Sequence, residues 1–314
     1  NAKFVNVYIA SAESSIQSIW APQLKNFDGK WYLYFTGASV ENAGAQRTPY
    51  TMTALGDTPF DGFTEPVPFE NLDPSIYSWL APRPFVYNGE LYYCGSVFVE
   101  ATDNTSANHK QKIVIAKLET PTEFATAASV IAVPDKSFEG YDILEGPYAV
   151  YAEDGKSLCL IYCANYADGE DYCTGLLKFN GGDILAMKNW EKLPQPIGAR
   201  DSNYEIFAPG ATIFAPMPDG STYAIYHVKL HAKNRFNRSV FIQPVSYKNG
   251  LPYLGAPPSL DTVIEYPVNP MPVADRIFGF DTDSADNMKF IATRTYNNNF
   301  TDVTDADWFA PYVK

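Results

Sequence analysis

The chain has 314 residues and a formal net charge of −13, from 23 Lys and Arg against 36 Asp and Glu. Its length is sufficient to bury a substantial core, and its negative charge disfavours binding to nucleic acid or to an anionic membrane surface. No apolar run reaches the roughly 18 residues needed to span a bilayer, and the start of the chain does not resemble a signal peptide. We therefore expect a soluble monomer whose partners are neutral or cationic.

Aromatic residues make up 15% of the chain, with 22 Tyr and 20 Phe beside 24 Pro and 20 Gly. Aromatic residues favour strands, whereas Pro and Gly favour tight turns. The composition therefore predicts an all-β protein with many short strands.

Three Asn-x-Ser/Thr sequons begin at Asn104, Asn237 and Asn299, and they are compatible with secretion. The four cysteines are too few for a disulfide scaffold and form no Cys-x-x-Cys pair. We expect an extracellular protein whose cysteines act mainly as small buried hydrophobes, with at most one disulfide among Cys94, Cys159, Cys163 and Cys173.

The first element in the chain is "IWAPQLKNFDGKWYLYFTG", residues 19–37. It contains an Ala-Pro corner, an apolar run, an Asp-Gly turn and an alternating aromatic run, a pattern that predicts a β-hairpin. The pattern recurs as "APRPFVYNGELYYCGSV" from Ala81, "EGPYAVYAEDGKSLCLIYCAN" from Glu145 and "APGATIFAPMPDGSTYAIYHV" from Ala208, with a looser copy, "ADRIFGFDTDSADNMKFIATRT", from Ala274.

The repeat has a nearly constant period. Pro22, Pro82, Pro147, Pro209 and Arg276 occupy the same place in the five copies, at intervals of 60, 65, 62 and 67 residues. Continuing from Arg276 through the end of the chain and back to Pro22 takes another 60 residues. A strand-rich period of this length is typical of propeller blades. The sequence predicts a single five-bladed β-propeller over residues 1–314, with one blade assembled from both termini to protect its edges.

Inner strands of a propeller converge on the axis, so residues at the Ala-Pro corners should face a common central pocket. Only two of these residues are carboxylates, Glu145 and Asp275. Two carboxyl groups about 6.5–9.5 Å apart can hydrolyse a glycosidic bond with inversion, one as general acid and the other as general base. Apolar neighbours of Glu145 favour the acid, and Arg276 beside Asp275 favours an ionised base. Alternatively, Glu145 caps a turn and Asp275 forms an ordinary ion pair.

Six further residues are candidate substrate contacts. Trp20 and Trp79 are expected at equivalent corners, where indole faces stack on sugar rings or pack between blades. His227 ends an inner-hairpin strand and is as often structural as functional in such a place. No cofactor is predicted, and no pattern resembles a metal cage, although a propeller can hold a central cation such as calcium. The remaining candidates are Gln23, Arg83 and Arg238.

These motifs resemble glycoside hydrolase family 43, whose members are five-bladed propellers that cleave arabinofuranosides and xylosides with inversion. The resemblance covers roughly residues 15–255 and rests on "IWAPQLKNFDGKWYLYF", "ILEGPYAVY" and "YHVK…NRSVFIQPV". It implies that Glu145 is the general acid. The segment similar to the base motif, "NPMPVADRIFGF" at 269–280, follows the last blade. This order resembles a circular permutation and implies that Asp275 is the base.

Three positions differ from the family pattern. Ala81 occupies the place of a pKa-modulating aspartate, Ala211 that of a histidine that often helps hold a central ion, and Arg276 that of the proline after the base. Two hypotheses follow. The first is an inverting glycosidase acting on pentose-containing glycans, and the second is a catalytically inactive propeller that binds glycans. We favour the enzyme because both proton-transfer positions carry carboxylates.

Overall fold

The computed structural model describes residues 7–9, 16–39, 46–99, 110–201, 206–217, 219–232 and 238–262. Within these ranges the chain forms four antiparallel sheets, and the only other regular elements are a two-stranded ribbon and two short 3-10 turns, Gly140–Asp142 and Met187–Asn189. The all-β class and the propeller arrangement are therefore confirmed. Among the described residues, no helix has the length and apolar character needed to cross a bilayer.

The first two sheets follow the chain as meanders. Sheet 1 contains β1 (Ile16–Phe27), β2 (Lys30–Ser39), β3 (Arg47–Thr53) and β4 (Val67–Pro68). Sheet 2 contains β5 (Ser78–Tyr87), β6 (Glu90–Phe98), β7 (Lys112–Thr120), β8 (Glu123–Phe124) and β9 (Ser129–Ala132), and both β8 and β9 pair with β7.

The next two sheets repeat this order. Sheet 3 contains β10 (Leu144–Tyr151), β11 (Leu158–Ala164), β12 (Cys173–Phe179) and β13 (Trp190–Lys192). Sheet 4 contains β14 (Phe207–Pro216), β15 (Thr222–Lys229) and β16 (Ser239–Pro244). The ribbon is formed by β17 (Ser246–Lys248) and β18 (Leu251–Tyr253).

The first four copies of the repeat thus each begin one sheet. The predicted tight turns are present, since Asp28-Gly29 and Asn88-Gly89 both have positive φ at the two central positions, as a type I′ hairpin requires. The looser copy from Ala274 and residues 1–6 and 263–314 lie outside the described residues, as do the three sequon asparagines. The fifth blade and the shared terminal blade therefore stay predictions.

Each inner strand is interrupted by a bulge at its proline corner. The residue before the proline has a left-handed backbone in all four described sheets, with φ of 51° at Ala21, 48° at Ala81, 59° at Gly146 and 53° at Ala208. The pairing register shifts at the same places. A bulge re-aims the side chains beside it, so this feature decides which side chains of the inner strands point toward the axis.

The core lies between neighbouring sheets. Tyr34 of sheet 1 packs with Trp79 and Tyr93 of sheet 2 in one cluster, and Ile113 of sheet 2 packs with Leu160 of sheet 3 in another. The cysteines are buried and unbridged, so they act as small hydrophobes, as predicted, without the one disulfide that the sequence allowed.

A buried ion pair anchors the segment that leads into β10. The side chain of Glu139 is fully buried and accepts hydrogen bonds from the Lys192 ammonium and the Tyr162 hydroxyl, both at 2.7 Å. Its other oxygen accepts the backbone N–H groups of Asp135 and Lys136 at 2.7 and 2.8 Å. This network fixes the chain a few residues before Glu145.

We expect Lys192→Met to destabilise the protein by about 3–5 kcal/mol, because it leaves the Glu139 carboxylate buried without its cation. The double variant Glu139→Gln, Lys192→Met should recover part of that loss, since it removes both charges. Urea unfolding followed by circular dichroism measures both effects. A loss below about 1 kcal/mol in the single variant would contradict the anchoring role.

Candidate active site

A cavity of about 420 Å³ lies where the inner strands of the four sheets meet. All four sheets contribute to its lining, as expected for a pocket on a propeller axis. Its polar side chains include Trp20, Arg47, Arg83, Gln111, Glu145 and Tyr172. Concave sites of this volume, with a few convergent polar groups, are typical of small-ligand binding.

Glu145 enters the cavity because the bulge at Gly146 follows it directly. Its Oε1 accepts a hydrogen bond from the Tyr172 hydroxyl at 2.5 Å. Burial raises the pKa of the Glu145 carboxyl, and this effect outweighs the hydrogen bond from Tyr172 and the positive charge of Arg238, which both lower it. A carboxyl group with a raised pKa is suited to donate a proton near neutral pH.

The two tryptophans are not equivalent. Trp20 directly precedes the left-handed Ala21, lines the cavity and is 55% exposed. The residue that directly precedes Ala81 is Leu80, and Trp79 stands one position earlier. A one-position offset turns a strand side chain to the other face, so Trp79 is 3% exposed and packs on Tyr93. The predicted equivalence of the two corners is therefore wrong, and the Trp79 indole is placed in the core.

The two polar residues after the corner prolines also differ. Arg83 lines the cavity, and its Nη1 donates weak hydrogen bonds to the carbonyls of Ala21 and Pro22 at 3.4 and 3.3 Å. Its buried Nε has no partner among the described residues. Gln23 is buried between the sheets, with its amide 3.2 Å from the Pro82 carbonyl and 3.3 Å from the Lys25 ammonium. Arg83 therefore faces the pocket, whereas Gln23 joins sheet 1 to sheet 2.

His227 and Arg238 lie behind the cavity lining. The imidazole of His227 stacks on the Tyr172 ring with centroids 5.8 Å apart. Burial, followed by the charges of Arg238 and Lys229, lowers the pKa of His227 to about 3, so this imidazole is neutral at ordinary pH. Arg238 donates to the Ala167 carbonyl and to Asp168 Oδ1, both at 3.2 Å. The charge of Arg238 lowers the pKa of Glu145, and His227 contacts Tyr172, which donates to Glu145. Asp275 lies outside the described residues.

Sequence reasoning missed the residues at the beginnings of the third strands. Arg47 begins β3, whereas Gln111 and Tyr172 directly precede β7 and β12, and all three line the cavity. In an antiparallel meander the first and third strands run in the same direction, so they begin at the same end of the sheet. The available signal was therefore a polar or aromatic residue at the beginning of each third strand.

Arg47 is the most buried of these residues. It is 3% exposed, its guanidinium donates to the Ser18 carbonyl at 2.5 Å, and its central carbon lies 3.3 Å from the centroid of the Trp20 ring. Burial lowers the pKa of Arg47 to about 10. The Arg47 guanidinium makes a cation–π contact with one face of the Trp20 indole, and this contact fixes the orientation of the indole at the cavity.

Two of the three positions that differ from the family pattern belong to the described residues, and Arg276 lies outside them. Ala81 and Ala211 both line the cavity, at φ of 48° and 52°, and the Ala211 N–H donates to Cys163 Sγ at 3.0 Å. Among the described residues, no group of three or more His, Cys, Asp or Glu side chains could hold a metal ion.

Comparisons with known proteins agree with this geometry. Residues 6–252 match the model of Glycosyl hydrolases family 43. The chain therefore belongs to that family, and the family predicted from the sequence is confirmed.

Two curated relatives are similar to most of this chain. The extracellular exo-alpha-(1->5)-L-arabinofuranosidase of Streptomyces avermitilis is 29% identical over 257 residues, which cover 76% of this chain and 50% of the relative. Alpha-L-arabinofuranosidase 43 of Humicola insolens is 29% identical over 283 residues, which cover 82% and 52%. The chain thus spans about half the length of these relatives.

A solved structure, that of an alpha-L-arabinofuranosidase from Lactobacillus brevis, superposes with a TM-score of 0.70 at 23% identity. The superposition covers 81% of each chain. This likeness supports the propeller arrangement.

The raised pKa of Glu145 predicts a pH-dependent effect of Glu145→Gln on stability. Because the folded-state pKa lies above the unfolded value, wild-type stability falls as the pH rises from the unfolded pKa through the folded one. The amide of the variant cannot ionise and can still accept from Tyr172, so the variant should become progressively more stable than the wild type above the ordinary carboxyl pKa of 4.5. Each tenfold change in the dissociation constant contributes about 1.4 kcal/mol.

Thermal unfolding between about pH 4 and 8 measures this difference. Glu119→Gln, at an exposed position on β7 outside the cavity, is the matched control for the loss of one negative charge. A Glu145→Gln effect that does not change with pH would contradict the expected cost of burying the carboxylate.

Proposed function

We propose that the protein is an inverting glycoside hydrolase that acts on arabinofuranosyl- or xylosyl-containing glycans, with Glu145 as general acid and Asp275 as general base. The observation that carries this proposal is the Glu145 carboxyl, which lines an axial cavity and has a raised pKa. Membership of family 43 and the arabinofuranosidase names of the relatives support the substrate class.

In the proposed reaction, Glu145 transfers its proton to the glycosidic oxygen as the bond from that oxygen to the anomeric carbon breaks. A water molecule attacks the opposite face of the sugar, and the base carboxylate removes a proton from that water. The new carbon–oxygen bond has inverted configuration. After product release the base gives its proton to solvent and Glu145 takes one up from solvent, which restores the starting protonation states. Trp20, Arg83 and Arg47 border the space in which the sugar would bind.

We further propose that a fifth blade, built from the two ends of the chain, brings Asp275 to the cavity. The support is the spacing of the repeat, whose fifth interval closes through both termini. The proposed protein is a secreted monomer, and the extracellular name of one relative agrees with that location. No cofactor takes part in the proposed steps.

A second candidate function is glycan binding without turnover. It is favoured by Ala81 and Ala211, which line the cavity where the family resemblance implies an aspartate and a histidine. The missing aspartate would have helped to keep the acid protonated by like-charge repulsion. Burial already raises the pKa of Glu145, however, which supplies the property that the aspartate would provide. This observation favours the enzyme.

We expect Glu145→Ala to lower kcat/KM by about 10²- to 10⁴-fold on a substrate with a sugar leaving group, and by much less on a 2,4-dinitrophenyl arabinofuranoside, which needs little protonation to leave. Asp275→Asn should lower both rates equally, because the base acts on water. Proton NMR of the first-formed anomer tests inversion. Glu119→Gln is the control variant, and unchanged rates in Glu145→Ala would exclude the acid role. Absence of turnover by the wild type, together with glycan binding, would select the second function.

The hydroxyl of Tyr172 should tune the pH profile. Its hydrogen bond favours the ionised form of Glu145, so Tyr172→Phe should raise the pKa of that carboxyl and move the alkaline limb of kcat/KM to higher pH. Tyr151→Phe, at the opposite end of β10 from Glu145, serves as the control. An alkaline limb that stays in place or moves to lower pH would contradict this role.

A further inference from the structure

Two exposed tyrosines lie side by side outside the cavity. Tyr141 belongs to the 3-10 turn before β10 and is 74% exposed, and Tyr166 belongs to the loop after β11 and is 41% exposed. Their ring centroids are 5.5 Å apart, with the planes inclined at 47°. Single exposed apolar residues are ordinary on a protein surface, whereas adjacent aromatic rings form a larger surface of the kind that binding sites use.

This tyrosine pair lies at the end of sheet 3 that carries Glu145. Leu144 at the start of β10 pairs with Ala164 at the end of β11, so both loops leave the sheet at that end. Tyr141 is four residues from Glu145, so their Cα atoms are at most about 14 Å apart. The Asp142 carbonyl accepts the Gln111 N–H at 3.0 Å, and Gln111 lines the cavity. The pair therefore lies at the same end of sheet 3 as the proposed acid, and the residue after Tyr141 contacts the backbone of a cavity-lining residue.

Two cationic side chains hold the loop that carries Tyr166 through hydrogen bonds to its backbone carbonyl groups. Lys229 is fully buried and donates to the carbonyls of Asp168 and Gly169 at 2.7 and 2.9 Å. Arg238 donates to the Ala167 carbonyl at 3.2 Å. A loop fixed by two cations loses little further conformational freedom when a ligand binds. The aromatic surface is therefore largely organised before any ligand arrives.

The other half of the pair is held in an uncommon backbone conformation. Tyr141 has a φ of 61°, and Asn165, next to Tyr166, has a φ of 73°. Left-handed backbone is costly at a tyrosine and persists where the surrounding structure fixes it, whereas asparagine adopts it more readily. Gly140 packs against the Asn165 side chain so closely that a Cβ would lie 2.9 Å from its Oδ1. The two loops thus fit together and fix the relative position of the rings.

We propose that the Tyr141–Tyr166 pair binds a sugar ring of the leaving-group portion of the substrate, which makes the substrate an oligosaccharide or polysaccharide and not a single terminal glycoside. This inference rests on the proposed function. The acid delivers its proton to the leaving-group oxygen, so the departing chain extends past Glu145, toward the pair. Tyrosine offers a large rigid face for the apolar side of a sugar ring and a hydroxyl for its edge.

Binding to the Glu145→Gln variant tests the proposal without requiring turnover. Calorimetric titration with arabino-oligosaccharides of two to six units should give an affinity that rises with length and then levels off. Adding Tyr141→Ala and Tyr166→Ala should weaken binding of the oligosaccharides that reach the pair about three- to tenfold and leave binding of methyl arabinofuranoside, which has no leaving-group sugar, unchanged. Tyr141→Phe with Tyr166→Phe should retain most of the affinity, because the rings remain.

Tyr253→Ala, at an exposed tyrosine on β18, is the matched control and should leave all affinities unchanged. Equal loss for methyl arabinofuranoside and the oligosaccharides in the double alanine variant, no loss for any ligand, or no oligosaccharide binding at all would overturn the proposal. Unchanged binding together with an altered sedimentation coefficient would assign the pair to contact between copies of the chain, which also overturns it. Turnover of an aryl arabinofuranoside by the wild type tests the proposed function separately.

Discussion

The backbone conformation before each corner proline is the constraint on which the site depends. In all four described sheets, a left-handed residue interrupts the inner strand and shifts its register. A left-handed alanine costs about 1–2 kcal/mol, and this cost is met by the packing of the sheets around it. The result is that the residue directly before the bulge, Trp20 in sheet 1 and Glu145 in sheet 3, enters the cavity. The position directly before the bulge therefore links the strand geometry of the repeat to the side chains that line the cavity.

The electrostatics of Glu145 depend on burial more than on neighbouring charge. Tyr172 and Arg238 favour its ionised form, yet desolvation outweighs them and raises its pKa. Ala81, where the family resemblance implies an acidic residue, is therefore compatible with a protonated acid. The two buried cations near the cavity have separate structural roles. Arg47 holds the indole of Trp20, whereas Lys229 holds the loop that precedes Tyr172. In this arrangement Arg47 fixes a side chain of the cavity lining, whereas Lys229, outside the lining, fixes the loop that leads to Tyr172.

The cavity draws on two strands of a blade, because the first and third strands of a meander begin at the same end. Sequence reasoning followed the proline corners and so found Trp20, Arg83 and Glu145, all of which line the cavity. It did not consider the beginnings of the third strands, which supply Arg47, Gln111 and Tyr172. Those strands carry no motif comparable to Ala-Pro or Glu-Gly-Pro, since a single polar residue before an apolar run occurs at many strand starts.

The all-β class, the repeat, the hairpin turns and the family follow from the amino-acid sequence, because each depends on local spacing that is present without tertiary context. The face of the sheet to which each side chain points depends on the bulges and on the packing of the folded chain. Trp20 and Trp79 both stand shortly before a corner proline in the sequence. Trp79 is one residue further from its proline, and this offset places Trp20 at the cavity and Trp79 in the core. Burial and contacts between distant segments, such as Tyr172 with Glu145 or Tyr141 with Tyr166, arise when sheets and loops meet in space. Spacing along the chain does not encode them, because they join residues through the packing of different strands.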